Sequence, residues 1–247
     1  MTELFVVSAE IKEQREDSYV FSLPAIKNLG CMEFHAPITF LMGENGIGKS
    51  TLLEAIAVAC GFNAEGGSIN FNFFTRETHS PLYKAMKIVR GFRRPKDGYF
   101  LRAESFYNVL TNIEELDEVE APAPPIVGGY GGESLHNMSH GESFLKLVQE
   151  RFFGNGLYIL DEPEAALSPE GQLKLMAAIY ALAKNKGSQF IISTHSPILT
   201  ACPESEVYNI TKKGAELTDY RATPHYMIVK RFLNDPESIV RELISGI

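Results

Sequence analysis

Gly43-Glu44-Asn45-Gly46-Ile47-Gly48-Lys49-Ser50 is the stretch that decides the fold, and it matches the pattern GxxxxGK[ST] in full. An apolar run at 38–42 (ITFLM) precedes it and predicts a buried strand, and 49–60 (KSTLLEAIAVAC) is helix-forming throughout. Glycines between a strand and a helix allow successive backbone N–H groups to converge on an anion at the positive end of the helix. Residues 43–50 therefore predict a phosphate-binding loop.

Three side chains at the end of this loop have predicted ligands. Lys49 is expected to reach the β- and γ-phosphates of a nucleotide. The hydroxyl of Ser50 is expected to coordinate Mg²⁺, a hard cation that prefers oxygen ligands. Thr51 is either a contact of the α-phosphate or an ordinary residue of the first helical turn. We therefore expect the protein to bind ATP together with Mg²⁺.

A second chemical signal lies where another apolar run ends. Residues 157–160 (LYIL) predict a buried strand, and Asp161 and Glu162 follow it directly. Two carboxylates at the end of a buried strand are costly unless a cation meets them. Asp161 is thus expected to hold Mg²⁺, directly or through water, and Glu162 to polarise the attacking water of a phosphoryl transfer.

The rest of the chain predicts strands alternating with helices, which indicates a mainly parallel α/β sheet. Further strands are predicted at 3–11, 18–23, 98–104, 188–193 and 206–210. Helices are predicted at 81–94, 105–117, 141–152, 169–185 and twice near the end, where Asp235-Pro236 is a typical N-cap and first helical residue. A loop is expected at 118–138, which contains APAPP and GGYGG. We expect one domain over residues 1–247, with a helical and basic insert at about 61–138.

Composition and charge exclude several protein classes. The 247 residues are 45% hydrophobic and 22% charged, which is ordinary for a globular protein. No apolar run reaches the length of a membrane span, and the N-terminus has no secretory signal. The net charge of −8 argues against a wholly basic nucleic-acid coat. Cys31, Cys60 and Cys202 have no metal-ligand spacing and indicate a reducing compartment, so we expect a cytoplasmic protein.

Four further segments occur in the order and spacing of ABC-type ATPases, and the chain resembles that family over roughly residues 26–210. They are Ser139-His140-Gly141-Glu142-Ser143, similar to the signature motif; Asp161-Glu162-Pro163-Glu164, similar to Walker B; Ala165-Ala166-Leu167-Ser168, similar to the D-loop; and Thr194-His195-Ser196, similar to the switch-histidine loop. Five ordered motifs are more specific than any one of them. The motifs are closest in style to compact ATPases akin to recombination-repair and SMC heads. The resemblance implies a P-loop NTPase fold of the ABC-ATPase type, in which helices flank a mainly parallel sheet, with an N-terminal antiparallel β part and a helical subdomain.

The resemblance also implies a mechanism. Two subunits would sandwich two ATP molecules, and each site would join the phosphate loop of one subunit to the signature of the other. Ser139 and the N–H group of Gly141 would grip the γ-phosphate across this interface. His195 would contact the γ-phosphate and help to orient water; the alternative is an ordinary loop histidine. The family thus implies an ATP-dependent homodimer that hydrolyses ATP with Lys49, Glu162 and His195.

Several positions depart from the family pattern. The usual glutamine after strand 98–104 is missing, and Glu104 stands there as a candidate ligand of Mg²⁺ or of its water. Glu142 adds negative charge at the mouth of the site and can instead cap its own helix. Ser168 replaces the usual aspartate of the D-loop and can cap the next helix. No clear aromatic residue for stacking on adenine precedes the phosphate loop. The candidates for contact with adenine are Tyr19, or Ile26 and Leu29 through apolar contact only.

A basic run extends from Arg76 to Arg102, inside the predicted insert. Its cations are Arg76, Lys84, Lys87, Arg90, Arg93, Arg94, Lys96 and Arg102, against the acidic Glu77 and Asp97. The run is either a contact surface for nucleic acid or an acidic protein, or a solvated helix face. Arg76 could alternatively touch a nucleotide phosphate.

These features leave three functions open. The basic run and the style of the motifs favour a soluble ATPase in DNA-related maintenance or defence. The nucleotide-binding subunit of a membrane transporter is disfavoured by the missing glutamine and the atypical signature, so we do not expect a membrane partner. The third is an ATP-gated scaffold or regulatory subunit of a toxin pair, although Glu162 argues for hydrolysis.

Overall fold

Two β-sheets organise the molecule. The structure is a computed structural model that describes residues 3–12, 18–69, 80–102 and 140–245. The strands in these ranges are β1 Val6–Ile11, β2 Cys31–Glu33, β3 Ile38–Gly43, β4 Gly67–Ser68, β5 Met86–Arg90, β6 Asp97–Arg102, β7 Gly156–Asp161, β8 Gln189–Ser193, β9 Ser205–Thr211 and β10 Gly214–Thr218. A seven-stranded sheet has the order β10-β9-β3-β8-β7-β6-β4, and a three-stranded antiparallel sheet has the order β2-β1-β5.

Helices pack on both faces of the larger sheet. The helices in the described ranges are α1 Pro24–Lys27, α2 Lys49–Cys60, α3 Leu82–Ala85, α4 His140–Arg151, α5 Pro169–Lys186, α6 Pro224–Asn234 and α7 Pro236–Ser245. Of these, α2 packs on one face of the sheet, and α4 and α5 pack on the other. The five central strands, β9, β3, β8, β7 and β6, are mutually parallel. The predicted fold class, a mainly parallel sheet with helices and an N-terminal antiparallel part, is confirmed.

Side-chain alternation along the central strands builds two hydrophobic cores. In β3, the side chain of Leu41 joins the core that contains α2, whereas Phe40 and Met42 join the core that contains α5. The same alternation divides Ile159 from Tyr158 in β7. Because successive side chains of a strand point to opposite faces, a strand covered on both faces is apolar throughout. This explains why the predicted parallel strands are continuous apolar runs in the sequence.

The parallel strands place the chemical motifs at one edge. β3 ends at Gly43, β7 at Asp161 and β8 at Ser193, and all three are neighbours or next-neighbours in the sheet. The carboxyl ends of parallel strands form the ligand crevice in open α/β sheets. The phosphate loop, the acidic pair and the Thr194–His195 segment therefore meet there.

Two predicted elements are wrong. Residues 18–23 are not a strand: Tyr19–Ser22 form a 3-10 helix, and α1 follows it with Pro24 at its first position, where proline is favoured. Of the predicted helix at 81–94, only Leu82–Ala85 is helical, and β5 follows it. The pairing of β5 with β1 overrides local preference. The described part of the predicted insert at 61–138 thus contains strands β4, β5 and β6, while 105–117 and 118–138 lie outside the described residues.

The side chain of Gln189 joins the two sheets. Its Oε1 accepts hydrogen bonds from the N–H groups of Phe5 and Val6, both at 2.9 Å, and its Nε2 donates to the Val6 carbonyl at 2.8 Å. Gln189 is 1% exposed, so these bonds are shielded from water. The amide replaces backbone partners that β1 lacks at this point, and it fixes the antiparallel sheet to the first residue of β8.

Candidate functional site

The phosphate loop connects β3 to α2 as predicted. Gly46 and Gly48 have φ of +74° and +109°, a backbone region that favours glycine, and Gly48 is the N-cap of α2. A Cβ at Gly43 would lie 2.4 Å from the carbonyl oxygen of Ile210 in β9, so a side chain there would displace that strand. The glycines of the motif are therefore required by this backbone. Glu44 and Asn45 are exposed at the loop, while Ile47 is buried.

Lys49 extends back across the loop. Its Nζ donates hydrogen bonds to the carbonyl oxygens of Gly43 at 3.0 Å and Glu44 at 2.9 Å. Burial lowers the pKa of Lys49, and the negative charges of Glu162 and Asp161 act in the opposite direction. A buried ammonium inside a glycine loop is placed to compensate phosphate charge.

Ser50 and Asp161, two residues that the sequence predicts to hold Mg²⁺, lie next to each other. The Ser50 hydroxyl donates to Asp161 Oδ1 at 3.2 Å. Burial raises the pKa of Asp161 to about 6, and Arg102 and the Ser50 hydrogen bond act in the opposite direction. A buried carboxylate beside a hydroxyl fits Mg²⁺, which keeps waters and is usually held by one or two carboxylates plus phosphate oxygens. In the ranges that the structure describes there is no cluster of three or more His, Cys, Asp or Glu side chains suited to a metal ion. Glu104, the other predicted ligand, lies outside them.

Glu162 turns away from the strand that precedes it. It has φ 49° and ψ 51°, a left-handed conformation that is strained for a residue with a Cβ, and its N–H donates to the Ser193 carbonyl at 2.9 Å. Its side chain is 41% exposed, and its Oε1 lies 3.4 Å from Nε2 of His195. The turn therefore separates two adjacent carboxylates: Asp161 stays buried beside Ser50, and Glu162 faces the open side next to the predicted switch histidine.

Two further residues hold His195, and the sequence motifs assign a role to neither. The backbone N–H of His195 donates to Glu164 Oε1 at 2.6 Å, and its Nδ1 lies 3.0 Å from Nε2 of His225. Burial raises the pKa of Glu164. Glu164 is the last residue of the DEPE segment, so its position in that motif could have identified it as a site residue from the sequence. His225 is 30 residues from His195 in the chain and belongs to no motif, so the sequence contains no signal for it.

The signature helix α4 begins against the D-loop segment. Gly141 lies so close that a Cβ on it would be 2.8 Å from the carbonyl oxygen of Ala166. Ser168 caps α5 by accepting a hydrogen bond from the Gly171 N–H at 3.1 Å, which confirms the capping alternative. Ser139 lies outside the described residues, and the side chain of His140 is not described.

The D-loop segment is also linked to the switch loop. Ser196 Oγ donates to Gln172 Oε1 at 2.6 Å, and Gln172 Nε2 donates to the Leu167 carbonyl at 3.2 Å. Gln172 lies in α5, one turn after the cap. This chain of hydrogen bonds gives the residue after His195 a rigid link to the segment beside Gly141.

The basic run is partly used inside the molecule. Arg90 donates to the Ala59 and Cys60 carbonyls at the end of α2, which is a C-terminal capping interaction. Arg93 donates to Asn155 Oδ1 at 2.8 Å, and Arg102 pairs with Glu54 at 2.8 Å. Arg76 lies outside the described residues. Fewer cations of this run are therefore free to contact a partner than its composition predicts.

The candidates for contact with adenine are separated by burial. Tyr19 is 76% exposed, whereas Ile26 and Leu29 are 1% and 4% exposed and belong to the hydrophobic core. The expected apolar contact of Ile26 or Leu29 with a base is wrong for this arrangement, because their side chains are covered by protein.

The arrangement of the phosphate loop and its neighbouring side chains identifies a class of protein. A buried strand leads through a glycine loop with an enclosed lysine into a helix, and a serine of that helix meets an aspartate from a neighbouring parallel strand. This is the arrangement of a P-loop nucleotide-binding protein.

Family models agree with that class. One that is described as an AAA ATPase domain matches residues 143–200, which include the acidic pair and His195. Another that is described as an AAA domain matches residues 25–118, which include the phosphate loop.

Curated relatives are similar at low identity. A putative ABC transporter ATP-binding protein of Geobacter sulfurreducens is 25% identical over 169 residues, which cover 63% of this chain and 58% of the relative. The xylose import ATP-binding protein XylG of Moorella thermoacetica is 26% identical, covering 70% and 37%. The energy-coupling factor transporter ATP-binding protein EcfA of Methanocaldococcus jannaschii is 28% identical, covering 68% and 63%. The chain thus spans less than two thirds of the length of these relatives.

Solved structures share the fold. The ADP conformation of an ATP-binding cassette of an ABC transporter superposes with a TM-score of 0.51 at 17% identity, over 97% of this chain and 98% of that chain. CbiO1 from Clostridium perfringens, part of the ABC transporter complex cbiONQ, superposes with a TM-score of 0.50 at 16% identity, over 98% and 100%. These superpositions show that the chain has the fold of the ATP-binding cassettes. Within the described ranges, no helix is both long and apolar enough to cross a membrane.

Proposed function

We propose that this protein hydrolyses ATP as a homodimer whose two copies enclose two nucleotides head to tail. The observation that supports the proposal is the meeting of three groups at one sheet edge. These are the enclosed Lys49, the Ser50–Asp161 pair at 3.2 Å and the Glu162–His195 pair at 3.4 Å. Phosphoryl transfer needs a phosphate cradle, a metal holder and a group that positions water, and each is represented.

Each residue has a distinct task in this proposal. Lys49 and the N–H groups of residues 43–51 bind the phosphates, and Ser50 and Asp161 hold Mg²⁺, with Glu104 as the predicted additional ligand. Bound Mg²⁺ supplies positive charge that neutralises the phosphate oxygens. Glu162 accepts a proton from the attacking water, because its carboxylate is partly exposed and points away from the buried aspartate. His195 donates a hydrogen bond to the γ-phosphate.

The position of the signature-like segment supports the proposed dimer. Gly141 lies in the first turn of α4, where backbone N–H groups lack partners within the helix and favour an anion. We propose that Ser139 and the Gly141 N–H bind the γ-phosphate held by the other copy. The hydrogen bonds from Ser196 through Gln172 to Leu167 support a link between this surface and the switch loop.

Glu162→Gln tests the proposal. The variant should keep ATP affinity, lose hydrolysis by about 10²–10⁴-fold, and accumulate an ATP-bound dimer in size-exclusion chromatography with light scattering. Lys49→Ala should bind no fluorescent ATP and form no ATP-dependent dimer, because the phosphates lose their main positive charge. Glu170→Gln, an exchange of an exposed carboxylate in α5, is the matched control and should behave as wild type. Turnover by Glu162→Gln at the wild-type rate would place the general base elsewhere.

The physiological role has two candidates. The ATP-binding subunit of a transporter is favoured by the names of the three relatives, which weigh weakly against our prediction that a membrane partner is not expected. A DNA-related role rests on the basic run and on the style of the motifs, and part of that run serves the fold. Fractionation of host cells separates them: a transporter subunit should sediment with membranes and cross-link to an integral membrane protein. ATP binding without turnover would instead favour the ATP-gated scaffold.

A further inference from the structure

The geometry points to His225 as a positioning residue that holds the switch histidine His195 in the orientation and tautomer needed to donate to the γ-phosphate. This inference rests on the proposed function, because it assigns a residue to the same site. No motif contains His225, and it comes from helix α6, outside the strands that supply the other site residues.

The two imidazoles are in direct contact. His195 Nδ1 and His225 Nε2 are 3.0 Å apart, and the ring centroids are 5.0 Å apart with 55° between the planes. The contact is therefore a hydrogen bond between ring nitrogens and not a stacked pair. His195 is also fixed through its backbone by Glu164, so the side-chain bond to His225 determines how the ring is turned.

The tautomers follow from the groups on either side. A neutral imidazole has one N–H donor and one acceptor nitrogen. His195 Nε2 faces Oε1 of Glu162, an acceptor, and this favours the hydrogen on Nε2. His195 Nδ1 is then the acceptor, and the bond to it requires His225 to donate from Nε2. The remaining nitrogen, His225 Nδ1, then carries no hydrogen, because a neutral ring has a single N–H. Within the described residues, the two outer nitrogens of the pair, His195 Nε2 and His225 Nδ1, are buried without a hydrogen-bond partner.

Neighbouring charges favour the neutral pair. Burial lowers the pKa values of both His195 and His225, and the positive charge of Lys49 lowers both further. His225 also acts to lower the pKa of His195. Glu162 opposes this for His195, and Glu44 opposes it for His225. Two neutral rings with one shared hydrogen therefore form a directed donor chain that ends at His195 Nε2, on the side of Glu162.

His225 has a rigid support. It follows Pro224 in the first turn of α6, and Thr223 caps that helix by accepting from the Tyr226 N–H at 3.4 Å. Thr223 is fully buried and donates to the Tyr220 carbonyl at 2.6 Å. His225 also lines a cavity of about 470 Å³ together with Gly43 and Glu44 of the phosphate loop. It thus lies between the phosphate loop and the switch loop.

Two exchanges with different donor positions test the inference. In His225→Gln the amide nitrogen occupies the region of Nε2 and can still donate to His195, whereas in His225→Asn it occupies the region of Nδ1 and cannot reach. We expect His225→Asn to lower kcat about 10–100-fold with KM for ATP changed less than about twofold, and His225→Gln to retain most of the activity. His225→Leu should resemble His225→Asn. His35→Leu, the same exchange at an exposed histidine beside Glu33, is the control and should leave kcat unchanged.

Nitrogen NMR of ¹⁵N-histidine-labelled protein supplies a readout that does not depend on turnover. In wild type and His225→Gln, His195 should be the Nε2–H tautomer, and in His225→Asn it should become a mixture. Equal loss of kcat in the Gln and Asn variants with an unchanged His195 tautomer would overturn the inference, since the loss would then be structural. Unchanged kcat in all His225 variants would also overturn it. Absence of turnover in wild type would count against the proposed function, while the tautomer shift would still decide the role of His225.

Discussion

The three cysteines differ in their exposure to solvent, and therefore in their expected reactivity. Cys31 is exposed in β2, whereas Cys60 ends α2 and Cys202 follows β8, and both are buried. Burial raises the pKa of the Cys60 thiol to about 12 and that of Cys202 to about 11. The thiolate is the reactive form, so a buried thiol with a raised pKa is inert at ordinary pH.

We expect one thiol to react rapidly with a disulfide reagent in native protein at pH 8, and three after denaturation. Cys31→Ser should abolish the fast reaction. Raising the pH from 7 to 9 should leave Cys60 and Cys202 unreactive, because both pH values remain below their folded-state pKa values. Absorbance of the released thiol measures the count. Two or three fast thiols in the wild-type protein, or any in Cys31→Ser, would show that the buried side chains are accessible.

At the scale of elements, the buried amide of Gln189 links the start of β1 to the larger sheet by three hydrogen bonds. Gln189→Ala would leave the N–H groups of Phe5 and Val6 and the Val6 carbonyl without partners. Because unsatisfied buried polar groups are costly, we expect the free energy of unfolding to fall by about 2–4 kcal/mol. Urea unfolding followed by circular dichroism measures this change, and hydrogen exchange of the Phe5 and Val6 amides should accelerate first.

Gln149→Ala is the matched control, since Gln149 is an exposed residue of α4. It should change stability by less than about 0.5 kcal/mol. Equal stability of Gln189→Ala and Gln149→Ala would mean that water replaces the missing hydrogen bonds and that the amide is not the attachment point.

The elements that can be predicted from sequence are those defined by local pattern. β3, the phosphate loop and α2 are predictable because an apolar run, glycines and a helix-forming run are adjacent in the chain. β5 is not, because its strand conformation depends on pairing with β1, about 80 residues earlier in sequence by the Ser8–Val89 register. The same distinction applies to the candidate site. Asp161 and Glu162 stand out at a strand end, whereas Gln189 and His225 act through partners that are remote in the chain and belong to no motif.

At the scale of the whole molecule, the charge distribution bears on the choice of partner. The net charge of −8 opposes binding to a polyanion unless cations are gathered on one surface. Arg90 and Arg102 are used to cap α2 and to pair with Glu54, so they contribute little to such a surface. Arg94 and Lys96 are exposed, and within the described ranges neither side chain has an ion-pair or hydrogen-bond partner. The free basic surface of the described residues is therefore small.

We expect nucleic-acid binding, if this surface provides it, to be weak and only moderately dependent on salt. The double variant Arg94→Glu and Lys96→Glu should weaken binding of a labelled duplex, and it should lower the slope of log K against log salt by about one unit for each phosphate that the protein no longer neutralises. Fluorescence anisotropy at several salt concentrations measures both quantities. Lys212→Glu with Lys213→Glu, in the turn between β9 and β10, is the control for net charge, because it changes the total charge equally on another surface. Equal weakening by both pairs would indicate an effect of net charge alone. A slope in wild type much steeper than two neutralised phosphates allow would show that cations outside this pair take part in binding.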